Sequence, residues 1–467
     1  MMLSQVARAL NVAAPAGADI TIAGVSTDTR TLNPGELFFA LSGPSFDGHD
    51  YCGRALERGA AAVVVARAVD VSLPQLVVAD PRRALGQLAA AWRQRFTGPL
   101  VAITGSNGKT TVKEMISAIL RQRGEVLATA GNLNNDIGVP LTLFRLQPGH
   151  HDYAVIEMGA NHVGEIAGLT ALAQPDVALV TNVGKAHLEG FGSLDDVARA
   201  KGEIWQGLKD GGVAVLNADD AYIDYWTGLV AAHRQLRFGS VDGADVRLIS
   251  EDGWQVADGG FRNRFTMTTP AGAVIVDLPL AGRHNIMNAL AATAVALAAG
   301  AELADVKAGL EAMTPVRGRL QPHLTHAGQL LIDDSYNANP QSLHAAMEVL
   351  AGISSTAVLV LGDMAELGDT AAELHCDAGR SARQLGISYV YGVGALAAHA
   401  CRGFGEGARC FDDQAELIKV LRQDLQALGS DTAVLVKGSR SARMEQVVAA
   451  LSRDVGEPPA RTPNSGS

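Results

Sequence analysis

Ile103-Thr104-Gly105-Ser106-Asn107-Gly108-Lys109-Thr110-Thr111 lies between an apolar run, Leu100 to Ile103, and a helix-like segment, Val112 to Leu120. Strand, glycine loop and helix in that order aim backbone N–H groups and a helix N-terminus at phosphate oxygens. Lys109 adds a mobile positive charge for the β and γ phosphates, and the Thr110 hydroxyl suits Mg²⁺. The stretch Thr104 to Thr111 therefore predicts binding of ATP or GTP. It is shorter than the common G-x-x-x-x-G-K-[ST] pattern, because Ile103 stands where the first glycine belongs. A glycine turn with an incidental lysine is the competing reading, and the flanking strand and helix patterns disfavour it.

At 467 residues the chain exceeds one core, and its length predicts about three domains. With 48% hydrophobic residues, 19% charged and 51 glycines, the composition is that of a globular protein rich in turns. A formal net charge of −11 argues against a nucleic-acid-binding surface, while leaving room for a basic pocket built from a few Lys and Arg. Cys52, Cys376, Cys401 and Cys410 show no C-x-x-C spacing, so neither a zinc site nor a disulfide framework is indicated. Arg8 interrupts the first amphipathic stretch, and no run of about 18 apolar residues suits a membrane span. The expectation is a reduced, cytoplasmic enzyme, monomeric by default.

Residues 1–82 combine a short helix (Leu3 to Leu10) with strand-like runs at Leu37 to Leu41 and Ala61 to Val65, a small α/β unit. Across 83–314, apolar runs at Leu100 to Ile103, Tyr153 to Ile156, Val177 to Val180 and Val213 to Leu216 alternate with helical segments, which predicts a mostly parallel sheet. Between about 233 and 280 helices give way to alternating segments, Phe265 to Thr269 and Val274 to Leu278, which predict an antiparallel insert or sheet extension. A strong helix follows at Gly282 to Ala299, carrying Asn285 and Asn288 on one face. Residues 315–456 repeat the α/β alternation with runs at Leu330 to Ile332, Ala357 to Leu361, Tyr389 to Tyr391 and Ala433 to Val436, a third, Rossmann-like unit. Residues 457–467 have three prolines and too little apolar surface to order themselves, and are expected to form a disordered tail.

The run Tyr153 to Ile156 ends in Glu157-Met158-Gly159-Ala160-Asn161-His162. This places a carboxylate at the sheet edge that carries the phosphate loop, where open α/β sheets bind ligands. Glu157 is therefore a candidate Mg²⁺ ligand, set against a solvated strand-end glutamate. The run Val177 to Val180 leads into Thr181-Asn182-Val183-Gly184-Lys185-Ala186-His187, and then Ala200-Lys201-Gly202-Glu203-Ile204. A lone His or helix Lys is more often structural. The loop, E-M-G-A-N-H, T-N-V-G-x-A-H and A-K-G-E-I in this order nevertheless resemble the Mur ligase superfamily.

The resemblance extends over residues 1 to about 455. It rests also on Asp28-Thr29-Arg30, Pro34 to Leu41, Phe46 to Asp50, Asn132 to Pro140, Asp333 to Pro340, Leu361 to Gly368 and Lys437 to Arg440. Within the superfamily it is strongest to the branch that adds D-alanyl-D-alanine to UDP-N-acetylmuramoyl-tripeptide. The resemblance implies ATP-dependent amide-bond synthesis in peptidoglycan assembly, through an acyl phosphate on the tripeptide carboxylate. By matching motifs it implies that Lys109, Thr110 and Glu157 hold the phosphates and one Mg²⁺, and that His187 and a carbamylated Lys201 hold a second. It further implies that Asn285 and Asn288 face the adenine, while Arg319 and Asp334 contact the γ-phosphate and the ribose from the third unit. Asp28, Thr29 and Arg30 match a UDP-sugar contact that reads D-S-R in many relatives, so the added methyl of Thr29 puts its geometry in question. Asn134 and Asn135 fall in a segment typical of the branch and are candidate substrate contacts. Asn337, Asn339 and Asp363 are candidate dipeptide contacts by position alone.

Two competitors belong to the same superfamily: a folylpolyglutamate synthase and the ligase adding the third amino acid. The Asp28 to Leu41 segment disfavours the first, and absence of a D-N-P-R motif the second. A P-loop switch or motor is the alternative from another class. It lacks an N-K-x-D guanine-reading motif and leaves the third unit without a purpose.

Overall fold

The computed structural model describes residues 1–15, 19–185, 188–257 and 260–452. The expected tail at 457–467 lies outside them. The described residues form three main sheets, each flanked by helices.

The first sheet joins Val25–Ser26, Leu37–Phe39, Ala62–Val65 and Gln75–Val77, all parallel. Period-2 alternation explains its two cores. Leu37, Phe39, Ala62 and Val64 face the helix Leu3–Ala9, while Phe38, Ala40, Val63 and Val65 face Cys52 and Ala55 of the helix Cys52–Glu57. Helix Pro81–Arg93 starts with Asp80 as N-cap and Pro81 in its first turn, and it runs through the position where the sequence placed the first boundary. Its Ala84, Leu85 and Leu88 join the first core, and its Ala89 joins the next.

The central sheet has nine strands. Arg234–Gly239, Val213–Asn217, Val177–Val180, Leu100–Thr104, Tyr153–Glu157 and Val126–Ala128 lie side by side and parallel. Val246–Ala257 joins Arg234–Gly239 through only two register pairs, then continues antiparallel to Gly260–Thr269, which pairs with Gly272–Leu278. The antiparallel segment is thus an extension of the same sheet. Helices Lys109–Leu120 and Arg283–Ala298 bury their apolar residues against one face, which explains why the second is hydrophobic almost all round.

In the third sheet the order is Gln321–Leu324, Leu330–Asp334, Thr432–Lys437, Thr356–Gly362, Tyr389–Val393 and Ala408–Phe411, parallel except for the first strand. Its core is not confined to its own residues. Phe261, from the central sheet's antiparallel extension, is buried in it, and Trp254 stands edge-on to Phe261 with ring centroids 6.0 Å apart. Gly352 admits this contact, since a Cβ there would approach the Trp254 ring within 2.9 Å. Among the described residues no helix is long and apolar enough to cross a membrane.

Candidate active site

The carboxyl ends of the central and third sheets face a cleft of about 1620 Å³. Strand Leu100–Thr104 delivers the glycine loop to it, and helix Lys109–Leu120 leaves from it with Gly108 as N-cap. Two glycines make that turn possible. Gly105 has φ +145 and a Cβ there would lie 1.9 Å from Thr181 Oγ1; Gly108 has φ +80 and a Cβ would lie 2.5 Å from Asn288 Oδ1. Thr104 is buried beneath, donating from Oγ1 to the Met158 carbonyl at 2.8 Å. Ser106 Oγ accepts from Gly184 N–H at 2.9 Å, and Asn107 N–H donates to Asn182 Oδ1 at 3.0 Å.

Thr110 is the junction of the site. Its hydroxyl donates to Glu157 Oε2 at 2.9 Å and accepts from the Arg319 guanidinium at 3.1 Å. Glu157 ends strand Tyr153–Glu157, is buried, and accepts from Asn134 Nδ2 at 2.9 Å through its other oxygen. Arg319 lies over the Tyr336 ring, 4.5 Å from its centroid. Lys109 Nζ donates to the carbonyls of Gly105 at 2.7 Å and Ser106 at 3.3 Å. Desolvation lowers its pKa, the Arg319 charge adds to the lowering, and Glu157 opposes it.

Lys201 sits behind this floor near the end of helix Leu194–Gly202, fully buried, with Nζ 5.2 Å from the Phe191 ring centroid. Burial first, and the Lys109 charge second, bring its pKa down to about 7, against the opposing pull of Glu165 and Glu203. At neutral pH a large share of it is therefore a free amine. His187 lies outside the described residues.

The third sheet supplies the opposite wall. Asp334, at the end of Leu330–Asp334, accepts from Lys437 Nζ at 2.5 Å and from Leu320 N–H at 3.1 Å. Burial raises its pKa and Lys437 opposes that rise. Asn337 gives its carbonyl to Lys437 at 2.9 Å. Asn339 caps helix Pro340–Ala351 through Oδ1 and donates from Nδ2 to Asn107 Oδ1 at 2.7 Å, while Gln341 Oε1 accepts from Asn107 Nδ2 at 2.9 Å. Asn285 and Asn288 line the cleft on helix Arg283–Ala298 and are joined by a 3.1 Å hydrogen bond.

The cleft thus gathers Ser106 to Thr111, Asn134, Asn135, Glu157, Asn285, Asn288, Arg319, Asp334, Asn337 and Asn339. Asp28, Thr29, Arg30 and Asp363 do not line it. Arg30 pairs with Asp28 at 2.6 Å on the first unit's surface, holding that carboxyl below its usual range, and Thr29 is buried. Asp363 accepts from Ala397 N–H at 2.7 Å, at the start of helix Ala397–Phe404. Residues that sequence reasoning left without a role include Asn182, Tyr336, Gln341 and Lys437. Asn182, Tyr336 and Lys437 stood inside quoted motifs, whereas Gln341 carried no signal. The Arg82–Asp136 ion pair, also in the cleft, joins residues too far apart in sequence to be read as partners.

Three family profiles match the chain: "Mur ligase family, catalytic domain" over residues 21–93, "Mur ligase middle domain" over 103–296 and "Mur ligase, glutamate ligase domain" over 318–440. The UDP-N-acetylmuramoyl-tripeptide–D-alanyl-D-alanine ligase of Escherichia coli K12 is 50% identical over 93% of this chain and 95% of its own length. The enzyme of the same name from Bacillus subtilis is 35% identical, covering 91% of this chain and 92% of its own. A crystal structure of MurF from Acinetobacter baumannii superposes with a TM-score of 0.89 at 38% identity, over 96% of this chain and 98% of that one. The MurF ligase from Thermotoga maritima in complex with ADP gives 0.80 at 28% identity, over 92% and 97%. A folylpolyglutamate synthase from Mycobacterium tuberculosis, at 18% identity, 81% coverage of this chain, 95% of its own and a TM-score of 0.64, shares the fold.

Proposed function

The chain belongs to the Mur ligase family, and from that premise we propose that it joins D-alanyl-D-alanine to UDP-N-acetylmuramoyl-tripeptide at the cost of one ATP. The product is the UDP-N-acetylmuramoyl-pentapeptide of peptidoglycan synthesis. Near-complete coverage by ligases of that name supports this reading over a folate enzyme or a nucleotide switch. The observation that carries it is Arg319, from the third unit, bonded to Thr110 of the phosphate loop beside Glu157. A switch needs a loop; a ligase needs the loop closed by a second unit that brings the other substrate.

Direct condensation of a carboxylate with an amine would expel hydroxide. The tripeptide's terminal carboxylate instead attacks the γ-phosphorus of ATP, ADP departs, and an acyl phosphate forms. The dipeptide amine attacks its carbonyl carbon, loses a proton, and phosphate leaves as the amide forms. Anion meets anion in the first step, so positioned cations and N–H donors lower its barrier. Lys109 and Arg319 supply charge at the γ-phosphate, loop N–H groups bind the β-phosphate, and Asn285 and Asn288 sit where a base can lie. Asp334, anchored by Lys437, faces the ribose.

Thr110 and Glu157 bring hard oxygen donors together, the chemistry Mg²⁺ takes. That ion would neutralise the phosphate oxygens. Lys201 cannot ligate as an ammonium, but its lowered pKa suits reaction with CO₂ to a carbamate, whose oxygens with His187 would hold a second Mg²⁺. Asp28, Thr29 and Arg30 are assigned to the UDP sugar, Asn134 and Asn135 to the tripeptide, and Asn337, Asn339 and Asp363 to the dipeptide and the walls that shape its site. The units 1–82, 83–314 and 315–456 then correspond to nucleotide-sugar binding, ATP binding and dipeptide delivery. On this reading the chain works as a monomer in the cytoplasm, where ATP and UDP-linked precursors occur.

The test is phosphate release from ATP with each substrate omitted in turn. Release must require both UDP-N-acetylmuramoyl-tripeptide and D-alanyl-D-alanine; equal turnover with neither would return the chain to the NTPase reading.

A further inference from the structure

Away from the cleft, the far edge of the third sheet holds two thiols on one face. Cys410 sits in the edge strand Ala408–Phe411 and is exposed; Cys401 sits in helix Ala397–Phe404 and is buried. Cys410 is in register with Gly392 of the neighbouring strand Tyr389–Val393. Residues paired in this way project to the same face, on strands about 4.8 Å apart. The helix sets Cys401 on that face, since a Cβ on Gly392 would come within 2.6 Å of Cys401 Sγ. The Cys401 thiol also donates to the Arg409 carbonyl at 3.5 Å, one residue before Cys410. The missing side chain at Gly392 is what lets this sulfur settle beside Cys410.

We propose that Cys401 and Cys410 form an oxidisable dithiol, closed to a disulfide by a hydroperoxide and reopened by a thiol reductant. Cys410 is the sulfur an oxidant reaches. It attacks one peroxide oxygen, the O–O bond breaks, and with hydrogen peroxide the products are a sulfenic acid and water. Cys401 then attacks the Cys410 sulfur, the S–S bond forms, the S–O bond breaks, and a second water carries off the remaining oxygen. Two thiols are oxidised as one peroxide is reduced. Burial and the neighbouring Cys410 thiol push the Cys401 pKa up to about 12, which slows its attack, so the step depends on its being held against the Cys410 sulfur and on its proton passing to the departing hydroxide.

The test treats the full chain with a small excess of hydrogen peroxide, blocks free thiols with an alkylating agent, and maps the peptides by mass spectrometry. The expected product lacks alkylation at Cys401 and Cys410 and yields one linked peptide pair short of two hydrogens, which dithiothreitol restores. Cys410→Ser, at an exposed position, should abolish the cross-link while Cys52→Ser and Cys376→Ser retain it. Sulfinic acid accumulating on Cys410 with Cys401 still alkylated, or a cross-link through Cys376, would overturn the proposal.

Discussion

Lys109 and Lys201 share one electrostatic neighbourhood, and each has a lowered pKa. Lys109 remains next to carbonyls and a carboxylate, so it serves as a charge; Lys201 has a weak carbonyl contact at 3.5 Å and an aromatic ring, so it serves as an amine. Lys109→Ala should cut turnover by about 10²- to 10³-fold, the scale for removing one donor from a charge-stabilising set, in steady-state phosphate release with the circular dichroism unchanged. For Lys201 the folded pKa of about 7 lies below the ordinary 10.5, so between those values the unfolded chain holds the extra proton and stability rises with pH. Urea midpoints at pH 7 and pH 9 should show that rise in the wild type and a smaller one in Lys201→Met; equal slopes would sink the assignment. Asp334→Ala leaves Lys437 buried without its partner and should cost about 3–5 kcal/mol, read as a lower urea midpoint, with Asp334→Asn intermediate.

At the scale of elements, the strand, glycine loop and helix at 100–120 were legible because every local signal agreed: apolar run, glycines, then helical spacing. The antiparallel segment was legible from alternation as an insert or a sheet extension, and two register pairs joining Val246–Ala257 to Arg234–Gly239 make it the extension. Strands Gln321–Leu324 and Ala408–Phe411 escaped notice because both lie at sheet edges and carry polar residues outward. Gly105 shows how tightly these elements depend on one another. With φ +145 and Thr181 Oγ1 in the way, Gly105→Ala should cost about 1–3 kcal/mol in backbone strain alone and lose binding of a fluorescent ATP analogue. Asn339 has two duties, as helix cap and as donor to Asn107. Asn339→Asp should keep the cap and weaken the second, raising KM for the dipeptide with the melting temperature little changed; an effect confined to KM for ATP would instead assign Asn339 to the nucleotide.

Across the whole molecule, the cleft is assembled from residues more than two hundred positions apart, such as Asn107 with Gln341 and Thr110 with Arg319. No local pattern encodes such pairs; the resemblance alone brought Arg319 and Asp334 to the loop. The cross-unit hydrogen bonds are each worth about 0.5–1.5 kcal/mol, weak enough to exchange when nucleotide arrives. Solution scattering should therefore show compaction on adding a nonhydrolysable ATP analogue, and no change would count against closure. The anchor of Trp254 and Phe261 on the third unit is of another kind, because it is apolar, with Phe261 buried and Trp254 partly so. Its consequence is for cutting the chain. A fragment beginning near residue 315 would be expressed with a bare hydrophobic notch at Gly352 and would aggregate or recruit chaperones, whereas one that keeps the strands from 246 to 278 brings its own plug.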